Sequence, residues 1–228
     1  MSDKGEAQKS NLNREAFGIY GPFIGKLLEI NLLLAQQLDA EIIKRIEAEG
    51  QASEANIDPL TGLLRRDGFI KACKNPSIHQ SRVRRDDAIN CLLMIDVDNF
   101  KHYNDSYGHQ TGDIVLRGVA DRLKHNVRED DLLGRWGGDE FVAFLPETDA
   151  EGGLTLASKL VNSVNSEPVT VMLPDGSTPF ALDVTTTIGV ALIEEDNLEL
   201  SQFYADRALY KAKMAGKNTV AFVNPDSL

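Results

Sequence analysis

The stretch Arg135–Phe141 reads RWGGDEF and lies between two short apolar runs, Leu132–Trp136 and Phe141–Leu145. Two apolar runs that a glycine pair divides predict two strands joined by a tight hairpin. The glycines permit positive φ at the turn and leave room for a ligand to approach the backbone. Asp139 and Glu140 follow the glycines directly. Because two adjacent carboxylates repel each other, we expect a cation at this turn, and a divalent metal ion is the first candidate.

A second acidic pair ends another apolar strand, which we predict over Ala88–Val97. Asp96 and Asp98 alternate with a valine, so strand periodicity places both carboxylates on one face. Oxygen ligands from Asp96 and Asp139, with Glu140 as a further candidate and phosphates completing the shell, suit Mg²⁺ better than zinc. No His or Cys cluster with zinc spacing is present in the sequence. A solvated surface charge is the alternative for any single acid, but two such pairs favour a metal site.

Alternating helices and strands are predicted from Asp58 onward. We predict helices over Arg66–Lys74, Gly112–Asn126, Gly153–Val164 and Leu198–Ala215, and further strands over Val169–Leu173, Phe180–Ile193 and Thr219–Val223. Asn75–Asp87 is predicted as a loop and Pro174–Gly176 as a turn. Interleaved antiparallel hairpins and helices predict an α+β fold, with a central, mainly antiparallel sheet that helices cover mainly on one face.

The N-terminal part of the chain has a different composition. Residues 1–16 are polar and small, which predicts a mobile tail. Residues 17–57 predict a helical stalk that starts near Pro22, with apolar residues at helical spacing: Ile24, Leu27, Leu34, Leu38, Ile42 and Ile46. The heptad pattern slips after Leu38, which is short for a coiled coil, so packing against the chain's own domain is the alternative. We prefer a dimerising stalk that also offers a face to a regulatory protein, because its apolar surface is wider than a two-helix seam needs.

Charge and cysteine content limit the classes of function. The 228 residues include 24 Lys and Arg against 35 Asp and Glu, a net charge of −11. So acidic a surface repels phosphate backbones and argues against nucleic-acid binding. Cys73 and Cys91 are expected to be reduced thiols. With no signal peptide and no apolar run long enough for a membrane span, we expect a soluble, cytoplasmic protein.

Four motifs in order give the chain a family resemblance. The motifs are DPLTGLLRR from Asp58, IDVDNFKHYNDSYGHQTGD from Ile95, RWGGDEF from Arg135 and ADRALYKAKMAGKN from Ala205. Together they resemble the GGDEF-domain diguanylate cyclases over the residues from Asp58 to Val223. That family condenses two GTP molecules into cyclic di-GMP and two pyrophosphates, on a fold that resembles the palm of nucleotide cyclases and polymerases.

The resemblance implies a metal site and a base. Asp96, Asp139, Glu140 and the backbone carbonyl of Val97 would hold two Mg²⁺ ions, or Mn²⁺ in their place. Either Asp139 or Glu140 would take the proton of the attacking 3′-hydroxyl, and the choice between them stays open. Further contacts to the substrate are implied for the backbone amides of Asn99 and Phe100, and for Lys101, Asn104, His109, Asp113, Gly137, Gly138, Lys213 and Lys217.

Within that set the resemblance implies different roles for different residues. Asn104 and Asp113 would read the guanine edge, Lys101 would neutralise phosphate charge, and the two C-terminal lysines would hold the β- and γ-phosphates. His109, expected in a turn, is either a substrate contact or a structural histidine. One motif departs from the family, since its usual Asn-Arg ending is Arg65-Arg66 here, and Asp67 is expected to supply the lost helix cap.

Regulation and assembly are also implied. Arg128 and Asp131 resemble the product-inhibition site of the family, where cyclic di-GMP binds, and a charged surface turn is the alternative. One domain binds one GTP, so a product with two linkages requires a homodimer, which the stalk would promote. The alternatives to an active cyclase are an inactive relative that acts as a cyclic di-GMP receptor, and a scaffold that works through its N-terminal helix. The intact acids and glycines of RWGGDEF favour the enzyme.

Overall fold

The computed structural model describes residues 56–74, 89–172, 178–193 and 197–223, together with Lys26, Leu34, Gln37, Leu38, Glu41 and Lys44. The predicted tail, the loop Asn75–Asp87 and the turn Pro174–Gly176 lie outside these residues, as do most apolar positions of the predicted stalk. The chain divides into two compact units, Met1–Glu54 and Ala55–Leu228. The described residues of the first unit are helical and exposed.

A six-stranded sheet with the order β1-β3-β4-β2-β7-β8 forms the centre of the second unit. Its strands are β1 (Leu64–Arg65), β2 (Asn90–Val97), β3 (Leu132–Gly137), β4 (Glu140–Leu145), β7 (Thr186–Ile193) and β8 (Val220–Phe222). The central pairs β3–β4, β4–β2 and β2–β7 are antiparallel, whereas the outer pairs β1–β3 and β7–β8 are parallel. The prediction of a mainly antiparallel sheet is therefore confirmed.

A second, two-stranded sheet pairs β5 (Val169–Val171) with β6 (Phe180–Leu182). The single strand predicted over Phe180–Ile193 is therefore two strands, β6 and β7, which belong to different sheets. The break lies at residues 183–185, where the backbone leaves one sheet for the other. There the carbonyl of Asp183 accepts a hydrogen bond from the Tyr103 hydroxyl at 2.8 Å.

Helices cover both faces of the six-stranded sheet. They are α1 (Arg66–Cys73), α2 (Phe100–Tyr107), α3 (His109–Lys124), α4 (Ala150–Asn165) and α5 (Leu198–Met214). Ile95 packs in one core with Leu160 of α4, and its neighbour Met94 packs in a second core with Phe69 of α1 and Leu209 of α5. The expectation that helices cover mainly one face is wrong, because a strand that is apolar on both sides, as β2 is, needs cover on both.

Two local predictions are also corrected. The helix predicted from Gly112 begins at His109, and only Gly108, at φ 83°, separates it from α2. His109 therefore lies in the first turn of a helix and not in a turn between elements. The residue before α1 is Arg65, which makes no side-chain capping hydrogen bond, and Asp67 lies inside the first turn, so it does not replace the lost cap.

Helix α5 lies unusually close to the sheet. A Cβ atom at Gly189 of β7 would overlap the backbone of Ala205 and Leu209, so only glycine permits this approach. Near the C-terminal end of α5, Lys213 contacts Asp96 close to the end of β2. None of the helices in the described part of the chain is long and apolar enough to cross a membrane. Cys73 and Cys91 form no disulfide, and burial raises the pKa of each thiol to about 12.

Candidate active site

The acidic residues of β2 and of the β3–β4 hairpin come together at one edge of the sheet. Asp96 lies directly opposite Glu140 in the antiparallel register of β2 and β4. The backbone N–H of Val97 donates to the carbonyl of Asp139 at 3.2 Å, which joins the end of β2 to the hairpin turn. Gly138 has φ 47° in that turn, and a Cβ there would meet no atom within 4 Å. The turn is therefore open to a ligand, beside three carboxylates.

These carboxylates destabilise one another's charged forms. Burial raises the pKa of Asp96, which is 8% exposed, while the Lys213 ammonium opposes that rise through an ion pair of 2.7 Å to Oδ2. Burial also raises the pKa of Glu140, and the negative charges of Asp96 and its acidic neighbours add to the effect. A cation at this point would relieve the repulsion, and in this structure the Lys213 ammonium supplies part of the charge.

The donor set fits a divalent cation in its chemistry. Within the described residues, no group of three or more His, Cys, Asp or Glu side chains is arranged to hold a metal ion. The strand register and the hairpin turn bring Asp96, Asp139, Glu140 and the backbone of Val97 to the same edge of the sheet. All of them offer hard oxygen atoms, which Mg²⁺ prefers, and Mg²⁺ commonly takes its remaining ligands from substrate phosphates and water.

Two turns near the acids carry the groups predicted to contact phosphates. Asn99 precedes α2 with φ 57°, and Lys101 is exposed in the first turn of that helix. Lys217 lies in the loop after α5 with φ 64°, and its Nζ contacts Oδ1 of Asn99 at 2.7 Å. The structure thus brings Lys217 to the N-terminus of α2, where the backbone amides of Asn99 and Phe100 lie.

The two residues predicted to read guanine lie on neighbouring helices. Asn104 is half-buried on α2, and Asp113 is exposed on α3. A Cβ at Gly112 would overlap the Oδ1 atom of Asn104, so the carboxamide lies directly against Gly112 and next to Asp113. His109 is exposed one turn earlier on α3. Because Gly112 has no side chain, the Asn104 carboxamide has room to lie in this position.

Asp58, in the motif DPLTGLLRR, and Arg135 together hold the hairpin turn, a role that was not predicted from the sequence. Arg135 donates to the carbonyl of Gly138 through Nε at 3.0 Å and Nη2 at 2.7 Å, and its Nη1 pairs with Asp58 at 3.2 Å. Asp58 also accepts hydrogen bonds from the backbone and the hydroxyl of Thr61. Burial raises the pKa of Asp58, but the Thr61 hydrogen bonds and the Arg135 charge outweigh it, so the pKa lies below its usual value.

A cavity of about 280 Å³ opens beside the acids, between α5 and the sheet. It is lined by Met94, Trp136, Glu140, Gln202, Asp206, Leu209, Tyr210 and Lys213. The Arg66 guanidinium lies over the Trp136 ring, 4.5 Å from its centroid, at the same side of the sheet. Two of these lining residues, Glu140 and Lys213, have a site role predicted from the sequence, and the others lie on β2, β3 and α5.

The pair predicted for product inhibition lies in the turn before β3. Oδ2 of Asp131 accepts a hydrogen bond from the backbone N–H of Arg128 at 2.8 Å, and Asp131 is only 9% exposed. The Arg128 side chain is exposed. Asp131 therefore fixes the backbone of the turn in this structure, while the guanidinium faces solvent.

Comparison with known proteins gives a consistent family. Residues 55–219 match the family described as "Diguanylate cyclase, GGDEF domain". Diguanylate cyclase DgcM of Escherichia coli (strain K12) is 37% identical over 179 residues, which cover 78% of this chain and 40% of DgcM. The probable diguanylate cyclase DgcT of the same strain is 34% identical over 168 residues, which cover 73% of this chain and 35% of DgcT. The chain thus spans less than half the length of these two relatives.

Solved structures of diguanylate cyclases are also similar to this chain. The coiled coil and GGDEF domain of DgcB from Caulobacter crescentus, in complex with c-di-GMP, match with 28% identity and a TM-score of 0.69, over 85% of this chain and 99% of that one. Diguanylate cyclase SiaD from Pseudomonas aeruginosa, in complex with its activator SiaC, matches with 30% identity and a TM-score of 0.65, over 97% and 87%. With the family match covering the whole described sheet except its last strand, and the acidic hairpin of that family in place, this chain belongs to the GGDEF-domain diguanylate cyclase family.

Proposed function

We propose that this chain is an active diguanylate cyclase, which condenses two GTP molecules into cyclic di-GMP and two pyrophosphates. The observation that carries the proposal is the register that sets Asp96 opposite Glu140, beside the open turn at Gly138 and Asp139. An inactive relative would have no need for several mutually repelling carboxylates at an open turn. Family membership and the similarity to DgcM support the same reaction.

Divalent cations, two Mg²⁺ or Mn²⁺ per site, would be held by Asp96, Asp139, Glu140 and the carbonyl of Val97, and would stabilise the charge of the transferring phosphoryl group. The protein's own side chains select the base. The Asp113 carboxylate accepts from the ring N–H and amino group of guanine, and Asn104, held by Gly112, contacts the same edge. Adenine lacks that pair of donors and leaves the Asp113 carboxylate without its partners, so it is rejected.

Cationic and backbone groups hold the triphosphate. Lys217 and the amides of Asn99 and Phe100 approach it from adjoining turns, since Lys217 already contacts Asn99. The Lys213 ammonium, which pairs with Asp96, also attracts the phosphates. Lys101, in the first turn of α2, neutralises further phosphate charge. Gly137 and Gly138 leave the room that the substrate needs beside the hairpin.

In the reaction, the 3′-oxygen of one GTP attacks the α-phosphorus of the other. The bond from that phosphorus to the pyrophosphate group breaks, and the proton of the 3′-hydroxyl passes to a carboxylate. Glu140 is suited to accept it, because burial and the neighbouring acids raise its pKa toward the working pH. Asp139 is the alternative acceptor. His109, exposed on α3, is kept as a further substrate contact.

Each domain supplies one GTP, so two copies must face each other to form both linkages. We propose that residues 17–57 hold the homodimer together and so raise the effective concentration of the half-sites. Leu34 and Leu38 support this, because they lie one helical turn apart and are 56% and 61% exposed. The similarity to SiaD, whose structure contains its activator SiaC, supports a regulatory protein as a partner, and we propose that this partner binds the same helix.

Product inhibition is proposed at Arg128 and Asp131. The exposed guanidinium of Arg128 is free to form bidentate hydrogen bonds to guanine or phosphate of cyclic di-GMP, and Asp131 fixes the turn that presents it. We expect Arg128→Ala to keep its rate as product accumulates, whereas the unchanged protein slows. Equal slowing of both proteins in a progress curve would argue against this site.

The function is tested by incubating the full chain with GTP and Mg²⁺ and separating the nucleotides. Cyclic di-GMP is expected from the unchanged protein and from Glu167→Ala, which removes an exposed surface acid, and none from Asp139→Ala or Glu140→Ala. Product from both active-site variants would contradict the proposed chemistry. A chain that forms no product but binds cyclic di-GMP would instead be a receptor.

Dimerisation is tested in the full chain by sedimentation over a range of concentrations. Glutamates at both Leu34 and Leu38 should weaken the dimer and lower turnover at low protein concentration, because they place charge on the apolar face. Gln37→Glu, at an exposed position of the same helix, is the matched control. A dimer of equal strength in all three proteins would refute the role of this face.

A further inference from the structure

Asp98 is a buried carboxylate that the proposed chemistry does not use. It follows β2 directly and is only 1% exposed. Its Oδ1 accepts a hydrogen bond from the Thr187 hydroxyl at 2.6 Å, and its Oδ2 accepts from the Thr185 hydroxyl at 2.7 Å and from the backbone N–H of Asn218 at 3.0 Å. A charged acceptor makes such bonds shorter and stronger than a neutral one does.

These hydrogen bonds connect segments that are far apart in the sequence. The carboxylate at the end of β2 joins the start of β7 to the loop that follows α5. That loop has positive φ at three consecutive residues: Gly216 at 124°, Lys217 at 64° and Asn218 at 46°. Non-glycine residues adopt this conformation only at a cost in free energy, so it persists only where surrounding contacts fix it. The bond from Asn218 to Asp98 is such a contact.

The residue on the other side of Asp98 is also in the left-handed region. Asn99 has φ 57°, and its Oδ1 contacts the Lys217 Nζ at 2.7 Å. The two turns that carry the phosphate-binding groups therefore meet each other directly and are both attached to Asp98, one by the chain and one by a hydrogen bond. Asp98 fixes the distance between them.

The charge of Asp98 also has a cost for the site. Burial is the main cause that raises the pKa of Asp96, and the negative charge of Asp98 adds to that rise. A neutral hydrogen-bonding side chain in its place would spare Asp96 this repulsion. The carboxylate form is nevertheless suited to its position, because all of its partners here are hydroxyl or amide donors.

We propose that Asp98 is a positioning residue for the triphosphate of the substrate: it holds Lys217 and the amides of Asn99 and Phe100 in one fixed arrangement. The inference rests on the proposed function, since it takes GTP as the ligand of these turns. Preorganised groups bind without a further ordering cost, so a looser arrangement weakens binding of the phosphates more than binding of the base.

The test compares Asp98→Asn, which replaces one acceptor oxygen by a donor, with Thr187→Val. The second substitution removes the hydroxyl that donates to Asp98 and that also accepts from the Asn218 N–H at 3.1 Å. Thr186→Val is the matched control, because the Thr186 hydroxyl is buried on the same strand and has no hydrogen-bond partner within the described residues. For each full-length protein we would measure KM and kcat for GTP, and the dissociation constants of a non-hydrolysable GTP analogue and of guanosine, with Mg²⁺ present.

Asp98→Asn should raise KM and the dissociation constant of the analogue about tenfold, with a much smaller change in kcat and in guanosine affinity. Thr187→Val should shift the same two constants by a smaller factor, and Thr186→Val should match the unchanged protein. Equal losses for the analogue and guanosine would indicate general damage to the fold and would overturn the proposal. Unchanged KM would overturn it as well.

If Asp98→Asn does not fold, the comparison of Thr187→Val with Thr186→Val decides, and identical constants for the pair refute the inference. Hydrogen exchange of the Asn218 amide separates this inference from the proposed function, because it needs no substrate. The exchange comparison uses Thr185→Val, because the Thr185 hydroxyl bonds to Asp98 whereas the Thr187 hydroxyl also accepts from the Asn218 amide. Faster exchange in Thr185→Val than in Thr186→Val, in a chain that forms no cyclic di-GMP, would refute the cyclase and with it the role toward GTP, while leaving the anchor of the loop established.

Discussion

Replacing Glu140 by glutamine should stabilise the metal-free protein although it abolishes turnover. Glu140 lies directly opposite Asp96 on the neighbouring antiparallel strand, a position in which like charges destabilise a sheet. Burial, and then the charges of the acids around it, raise the pKa of Glu140, and only the Lys213 ammonium acts in the opposite sense. The carboxylate is therefore at a disadvantage in the folded protein, and the neutral amide is not.

The sign of the pH dependence follows from the raised pKa. The folded protein holds the Glu140 proton to a higher pH than the unfolded chain does, so stability falls as pH rises from the ordinary pKa of glutamate through the raised one. Below that window the carboxyl is protonated in both states and its cost disappears. Above it the cost is present in full.

The expected size is small but measurable. A directly opposed pair of like charges on two strands costs about 0.2–1 kcal/mol. We take about 0.5 kcal/mol, because glutamine also loses the attraction to Lys213 and because the group is only half-buried. In a domain of this size about 1 kcal/mol corresponds to about 2–4 °C in Tm, so the expected gain is about 1–2 °C.

The assay is thermal unfolding of the full chain with a chelator present, at neutral pH and at about pH 4, just below the ordinary pKa of glutamate. Glu167→Gln is the control, because it removes one charge from an exposed position and so corrects for the change in net charge. The gain of Glu140→Gln over this control should be present at neutral pH and absent in acid. A lower Tm than the control at neutral pH, or a gain that persists in acid, would refute the reasoning.

Two further substitutions test how the site is held in place. Gly112→Ala should raise KM for GTP about tenfold, because its Cβ overlaps the Asn104 carboxamide; Gly118→Ala on the same helix is the control, and equal KM values in a steady-state assay would contradict the contact. Arg135→Met should lower the free energy of unfolding by about 1–2 kcal/mol in urea titrations, because charged hydrogen bonds to Asp58 and the hairpin turn are lost. Arg65→Met, which removes one exposed hydrogen bond, should lower the free energy of unfolding by less, and a larger loss for Arg65→Met than for Arg135→Met would contradict the role of Arg135 in holding the turn.

Local patterns predicted the elements better than their arrangement. The two short apolar runs around the glycine pair predicted strands, and β3 and β4 form there as expected. Helix α3 begins before its predicted start, because Gly112 was taken as a boundary and is instead a helical residue that makes room for Asn104. The second covered face of the sheet was missed because an amphipathic helix shows that it has an apolar face but not which side of a sheet it covers.

For the site, too, local features were predicted from the sequence and long-range contacts were not. The acids and glycines of the hairpin are adjacent in sequence and were found from their types and spacing. The residues that fix them were not, because Arg135 reaches Asp58 across 77 positions and Asp98 reaches Asn218 across 120. Periodicity placed Asp98 on the face of Asp96, but no local pattern shows that a loop after α5 lies on it.

The two missed contacts have the same physical role. The hairpin turn with Gly138 and the loop with Lys217 both have positive φ, and each is attached to a distant part of the fold by one charged side chain, Arg135 for the turn and Asp98 for the loop. Local propensity favours positive φ at Gly138 but not at Lys217 and Asn218, so the loop depends more than the turn on its long-range contact. A substitution at either anchor therefore acts first on the relative position of the acids and the phosphate-binding groups, and only then on the cores, which lie on the strands and helices. Substitutions of Arg135 and Asp98 should accordingly have a larger effect on the catalytic constants, expressed as a free energy, than on the free energy of unfolding.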